Sequence, residues 1–151
     1  AMNWSNSAIE IGAWDRYLQG WLPEQQVYCT SLQSLDSTSK SFTIEPLVAQ
    51  SMGMKSVMIP LSSSKILVME SRKRLGWDIL PTAQAGVLVY TVDMTKGTLS
   101  GAYQTIRRPG SNDANYEDAA LKAGDSITLE GVTVKVVSIS DKADVVQISK
   151  N

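Results

Sequence analysis

The last third of the chain constrains the fold most. Ile127 and Leu129 alternate with polar neighbours, Glu130-Gly131 offers a tight turn, and Val132, Val134 and Val136 resume the same two-residue period. Asp141-Lys142 marks a second turn before Val145 to Ile148. Successive side chains of a strand point to opposite faces, so this pattern predicts a meander of three short antiparallel strands. A meander of this kind needs a second layer to cover its apolar face.

Upstream segments supply that layer. Ser41 to Val48 alternates through Phe42 and Ile44 until Pro46 interrupts it. Val57, Ile59 and Leu61 alternate, Ser62-Ser63-Ser64 turns the chain, and Lys65 to Ser71 returns, which predicts a hairpin. Gly86 to Asp93 is apolar at Val87, Leu88, Val89 and Tyr90, on both faces, as a central strand is. Ala102 to Arg107 reads as a further strand ended by Pro109-Gly110. Eight or nine short strands with turns between them predict a mainly β fold, an antiparallel β-sandwich. One N-terminal amphipathic helix precedes it. Ile9, Ala13, Tyr17 and Trp21 lie four apart with Trp14 and Leu18 beside them, Ser7 and Glu10 form a capping-box pattern, and Gly20 and Pro23 close the segment. The expected division is therefore a helix over 1–22 and a sandwich over 23–151. Trp4, Trp14 and Trp21 are three of the four tryptophans, so the helix is expected to bury Trp14, Tyr17, Leu18 and Trp21 against a substantial surface.

Composition removes several chemistries. The chain has 151 residues and no histidine, which excludes Ser-His-Asp and Cys-His nucleophile systems and histidine-ligated zinc within it. Fourteen basic and fifteen acidic side chains nearly cancel, so no nucleic-acid-binding surface is expected. No run approaches the ~20 apolar residues of a membrane helix. Cys29 is the single cysteine and, in the β-type run Val27-Tyr28-Cys29, is expected to be an inert buried thiol.

Few residues suggest a site. Two long loops, Leu75 to Ala85 and Pro109 to Lys122, are where binding tends to sit on a sandwich. Trp77 in the first is the best single candidate for a ligand contact, with Tyr90, Tyr103 and Tyr116 completing a platform for sugar stacking; the alternative is that these aromatics fill the core. Asp113, Asn115, Glu117 and Asp118 make an oxygen-rich loop that could hold calcium, against the reading of a solvated turn. Otherwise no cofactor is expected. Glu70-Ser-Arg-Lys-Arg74 reads as a solvated strand end with local ion pairs. Glu45, Glu70, Asp78 and Asp93 are acids that a glycosidase-like pair would require facing across a cleft, and a small sandwich offers none that is evident. A Ser-Lys dyad remains formally open at Ser71 to Lys73 but fails at Ser64-Lys65, whose side chains point to opposite faces. Asn3-Trp4-Ser5 matches the glycosylation triplet.

Three stretches together resemble the region that follows the active site in secreted zinc metalloproteases of the immune-inhibitor-A-like group. They are Gly12-Ala-Trp-Asp-Arg-Tyr-Leu-Gln-Gly-Trp-Leu22, then Ile66-Leu-Val-Met-Glu-Ser-Arg72 with Gly86-Val-Leu-Val-Tyr-Thr-Val-Asp93, and Leu121-Lys-Ala-Gly-Asp-Ser-Ile-Thr-Leu-Glu-Gly-Val-Thr-Val134. Gln19 stands where the family pattern has leucine. The family's His-Glu-x-x-His is absent, so no catalytic or zinc-ligating role carries over to any position; Met2 is either the remnant of the methionine turn or a vector residue. The resemblance implies that 1–22 is the remnant helix of a preceding protease domain and that 23–151 is a non-catalytic accessory β-sandwich, of exported origin, partnered with the parent protease domain or another protein surface and in a position to contact its substrate. The alternative is a stand-alone module that binds glycan or protein.

Overall fold

The computed structural model describes residues 10–35 and 38–151; the cap at Ser7, the apolar Ile9, Met2 and the Asn3-Trp4-Ser5 triplet lie outside them. After helix α1 (Ala13–Leu18) the described residues form nine strands: β1 (Val27–Cys29), β2 (Lys40–Ile44), β3 (Ser56–Pro60), β4 (Lys65–Arg72), β5 (Gly86–Asp93), β6 (Tyr103–Thr105), β7 (Ser126–Leu129), β8 (Val132–Ile139) and β9 (Asp144–Lys150). They form a five-stranded sheet in the order β1-β3-β4-β5-β6 and a four-stranded sheet in the order β2-β9-β8-β7. The pairing is antiparallel except between β1 and β3, which run parallel.

The expected C-terminal meander and the β3–β4 hairpin are both present, and β5 lies inside its sheet. Inward-facing Val57, Ile59, Leu67, Met69, Val87 and Val89 of the larger sheet pack on Val132, Val134, Val136, Val146 and Ile148 of the smaller. This is the core that the two-residue periods encode. Gly86 at the start of β5 has φ +142, and a Cβ there would lie 2.4 Å from the Leu121 carbonyl oxygen. Only glycine allows Val87 and Leu121 to exchange backbone hydrogen bonds at 2.8 and 3.1 Å, which joins the two long loops.

β5 is apolar on its outer face because that face is covered too. A second cluster of Ala13, Trp14, Leu22, Leu47, Met58, Ile66, Val68, Tyr90 and Val92 joins α1 to the outside of the larger sheet. The helix is shorter than its sequence stripe, and its burial differs from expectation. Trp14 is buried and Tyr17 half-buried, but Leu18 and Trp21 are 61% and 64% exposed. Chain reversal explains Trp21. Gly20, at φ +72, lets its own amide reach the Tyr17 carbonyl while the Trp21 amide reaches that of Arg16, a Schellman closure. The turn that buries Leu22 leaves Trp21 outside.

Candidate functional site

β4 ends in two ionisable residues on its outer face. Glu70 and Arg72 are two apart, so both side chains leave the inner core and point toward α1. A tight turn from Leu75 to Asp78, closed by a 3.0 Å backbone hydrogen bond, brings Asp78 back beside them. Arg72 Nη1 donates to Glu70 Oε1 at 2.9 Å, and Nη2 donates to Asp78 Oδ1 at 2.7 Å and to the Glu10 carbonyl at 3.0 Å. All three charged groups are buried.

This cluster also caps α1. Gly12 at the N-cap offers no side chain; instead the Ala13 amide donates to Glu70 Oε2 at 2.6 Å and the Trp14 amide to the Tyr90 hydroxyl at 3.1 Å. Tyr90 in turn donates to Glu70 Oε2 at 3.0 Å. A carboxylate at a helix N-terminus satisfies otherwise unpaired amides and meets the positive end of the peptide dipoles. Burial raises the Asp78 carboxyl above its ordinary range despite the guanidinium beside it, and Asp78 Oδ2 finds no hydrogen-bond partner among the described residues. Burial opposes the charge of Arg72, but Glu70 and Asp78 outweigh it and raise its pKa. Burial and the Glu70 charge push the Tyr90 phenol well above its usual value.

Above the cluster opens a cleft of about 510 Å³. Its floor is the outer face of β4, β5 and β6 at Glu70, Leu88, Tyr90 and Tyr103; Gly12 and Asp15 of the helix segment form one wall. Both long loops reach it, through Leu80 and Gln84 on one side and Asn115, Tyr116 and Glu117 on the other. Tyr103 donates its hydroxyl to Asp15, and burial with that carboxylate raises its pKa. The loops are tied together by Lys122, whose ammonium donates to the carbonyls of Thr82, Ala83 and Ala85.

The candidate aromatics therefore separate. Tyr90 belongs to the outer core, Tyr103 and Tyr116 line the cleft, and Trp77 stands 77% exposed on its loop without lining it. The segment from Glu70 to Arg74 is not a solvated strand end: Glu70 and Arg72 are buried, Lys73 bonds Asp144 Oδ1 at 2.6 Å, and only Arg74 is exposed. A cleft exists where none was expected, yet the acids do not face each other across it. Glu70 and Asp78 share Arg72, Glu45 pairs with Lys55, and Asp93 lies 3.7 Å from Lys96. In the oxygen-rich loop Asp113 accepts the Asn115 amide and Asp118 accepts the Ser111 hydroxyl. Among the described residues no three acidic or sulfur ligands group closely enough to hold a metal.

Ser71 and Lys73 both bond the buried Asp144, so neither activates the other. A closer Ser-Lys contact was invisible in the sequence. Lys55, 2% exposed, reaches Ser51 Oγ at 2.6 Å and Glu45 Oε2 at 3.1 Å. The Ser51 hydroxyl and Lys55 also hold the Glu45 pKa down. The trio clamps the loop before β3. Cys29 is exposed on β1, contrary to expectation, because among the described strands β1 stands at the edge of its sheet.

The geometry defines a two-sheet sandwich with an outer helix and a single-sided cleft. No family model, curated protein or solved structure matches the chain. No helix among the described residues is long and apolar enough to cross a membrane.

Proposed function

We propose that this chain is a non-catalytic accessory β-sandwich of a secreted metalloprotease, packing against the protease domain and contacting its substrate. One observation carries the reading. The segment Gly12 to Leu22, the first of the three stretches that together carry the resemblance, is locked to the sandwich by the Glu70 carboxylate under its first turn while Leu18 and Trp21 stay outward. A segment clamped on one side with Leu18 and Trp21 exposed on the other suits a rigid bracket between two bodies. With no histidine in these 151 residues, any histidine-ligated zinc belongs to another part of the polypeptide.

The gene upstream of Ala1 and its whole product test this. A His-Glu-x-x-His protease in the same polypeptide, whose melting temperature falls when Leu18 and Trp21 are both changed to Ser, supports the bracket. A reading frame without a protease, or peptide hydrolysis by the 151 residues alone, overturns it. The exposure of Trp77 on its loop favours a second reading, a binding module for glycan or protein. Exposed Trp77 is its candidate stacking residue, and glycan-array signal that disappears in Trp77→Ala supports it.

A further inference from the structure

The turn after β4 exposes three large apolar side chains within five residues: Leu75 at 46%, Trp77 at 77% and Ile79 at 46%. The fold imposes this exposure. Asp78 and Leu80 alternate with them and are buried, Asp78 against Arg72 and Leu80 beside the cleft, so Trp77 and Ile79 face outward. Gly76 reverses the chain at φ +59. Backbone hydrogen bonds then hold the turn from within, from the amides of Leu75 to Lys73 at 2.8 Å, Asp78 to Leu75 at 3.0 Å, Ile79 to Trp77 at 3.0 Å and Leu80 to Asp78 at 2.9 Å. A turn held this way loses little freedom on docking, and these four amides need no water when they enter an apolar layer.

The charges around the turn are in excess on one side. Its single acid, Asp78, is buried on Arg72. Lys73 and Arg74 lead into it, and beyond it the Lys122 ammonium sits on the carbonyls of Thr82, Ala83 and Ala85. Burial, then the charges of Arg108 and Lys73, lower the Lys122 pKa, which places these cations near one another. Asp144 holds Lys73 and Asp125 holds Arg108, while Arg74 and Lys122 form no ion pair among the described residues. Glu10, joined to Asp78 through its amide, gives its own carboxylate to Arg16. Glu117 lines the cleft, which Trp77 does not reach.

We propose that the turn 75–79 docks on an anionic phospholipid surface, with Trp77, Leu75 and Ile79 at the boundary of headgroups and acyl chains and Arg74 at the level of the phosphates. Tryptophan favours that boundary, where its ring is apolar and its N–H stays wet. Basic residues beside it are drawn to the negative surface potential of such a bilayer. A protein partner fits less well, because three side chains of one turn fall short of the ~800 Å² per partner of a standard interface. The docking is independent of whether the chain serves a protease, and it gives Trp77 a different role from sugar stacking.

Co-sedimentation of the 151-residue chain with vesicles tests it, using phosphatidylcholine alone and phosphatidylcholine with about one third phosphatidylglycerol. The chain should bind the anionic vesicles more tightly and leave them as salt is raised. Trp77→Ser should weaken binding roughly tenfold, and Trp77→Phe should retain most of it. Arg74→Gln should lose about fivefold on anionic vesicles and nothing on neutral ones. Trp21→Ser, exposed on another element, should bind unchanged. All four side chains replaced are exposed ones, so melting temperatures should stay within error. A second measurement needs no loss of binding: brominated lipid should quench part of the tryptophan fluorescence, and Trp77→Phe should remove that part. The proposal is refuted if the anionic vesicles do not sediment the chain at low salt, if neutral vesicles bind it as well, or if Trp77→Ser binds like the unaltered chain. Quenching that survives in Trp77→Phe, or loss of binding in Trp21→Ser, refutes it equally. Trp77-dependent binding of a glycan or a protein without vesicle binding overturns it in favour of that ligand.

Discussion

Replacing Arg72 with Met should be among the most damaging single changes in the chain. The substitution roughly conserves stem volume and removes three hydrogen bonds, of 2.9 Å to Glu70, 2.7 Å to Asp78 and 3.0 Å to the Glu10 carbonyl. The larger effect is electrostatic. Glu70 and Asp78 are both 0% exposed, so two carboxylates remain buried without a counter-charge. Removing one partner of a buried ion pair typically costs about 3–5 kcal/mol. For a domain of this size that corresponds to a melting temperature lower by roughly 6–20 °C. Urea unfolding followed by tryptophan fluorescence measures the change, because buried Trp14 rests on the same cluster through α1. Neutralising the acids as well, in Arg72→Met/Glu70→Gln/Asp78→Asn, should recover a large part of the loss, since the penalty lies in the stranded charges. The pH dependence has a defined sign. Burial raises the Asp78 pKa in the folded state above its unfolded value, so its contribution is fully present below about pH 3.9 and is lost as pH rises through the higher folded value. In Arg72→Met that slope should steepen, because the attraction that lowers the Asp78 pKa is gone. A loss under about 1 kcal/mol, or a triple variant no better than the single one, would refute the account of a buried, mutually dependent cluster.

Other outcomes test separate parts of the structure. Trp14→Ala should destabilise by about 3–5 kcal/mol, as large aromatic truncations in a core do, whereas Trp21→Ala should shift stability by no more than about 0.5 kcal/mol; chemical denaturation of both shows whether α1 buries one tryptophan or two. Gly86→Ala forces a Cβ onto the Leu121 carbonyl and should cost about 1–3 kcal/mol in backbone strain, with faster amide exchange at Val87 and Leu121 than elsewhere in β5. Cys29 should label to one equivalent with a thiol reagent in the native protein, and labelling only after denaturation would contradict its exposure.

Local pattern made the sheets legible. In β8, Val132, Val134 and Val136 face the core at 0% exposure because a strand's side-chain period depends only on its own backbone. The Ser62–Ser64 turn and the two-faced apolar β5 were readable for the same reason. The parallel β1–β3 pair was not, since pairing direction depends on where a distant segment lies. The helix was half legible: its four-residue stripe located it, but which side chains it buries depends on the Gly20 reversal and on the sheet beneath.

For the site, sequence alone determined what chemistry is missing and little of what is present. A chain without histidine cannot supply a histidine base or ligand however it folds. Only tertiary structure decided that Glu70, Arg72 and Asp78 form one buried cluster, that Glu45, Ser51 and Lys55 form another, and that the two long loops meet over Tyr103 and Tyr116 while Trp77 stays outside. The physical reason is range. Strand and turn preferences act over a few residues, whereas the charge state and reach of a side chain depend on groups such as Ala13 and Glu70, 57 positions apart along the chain and 2.6 Å apart in space.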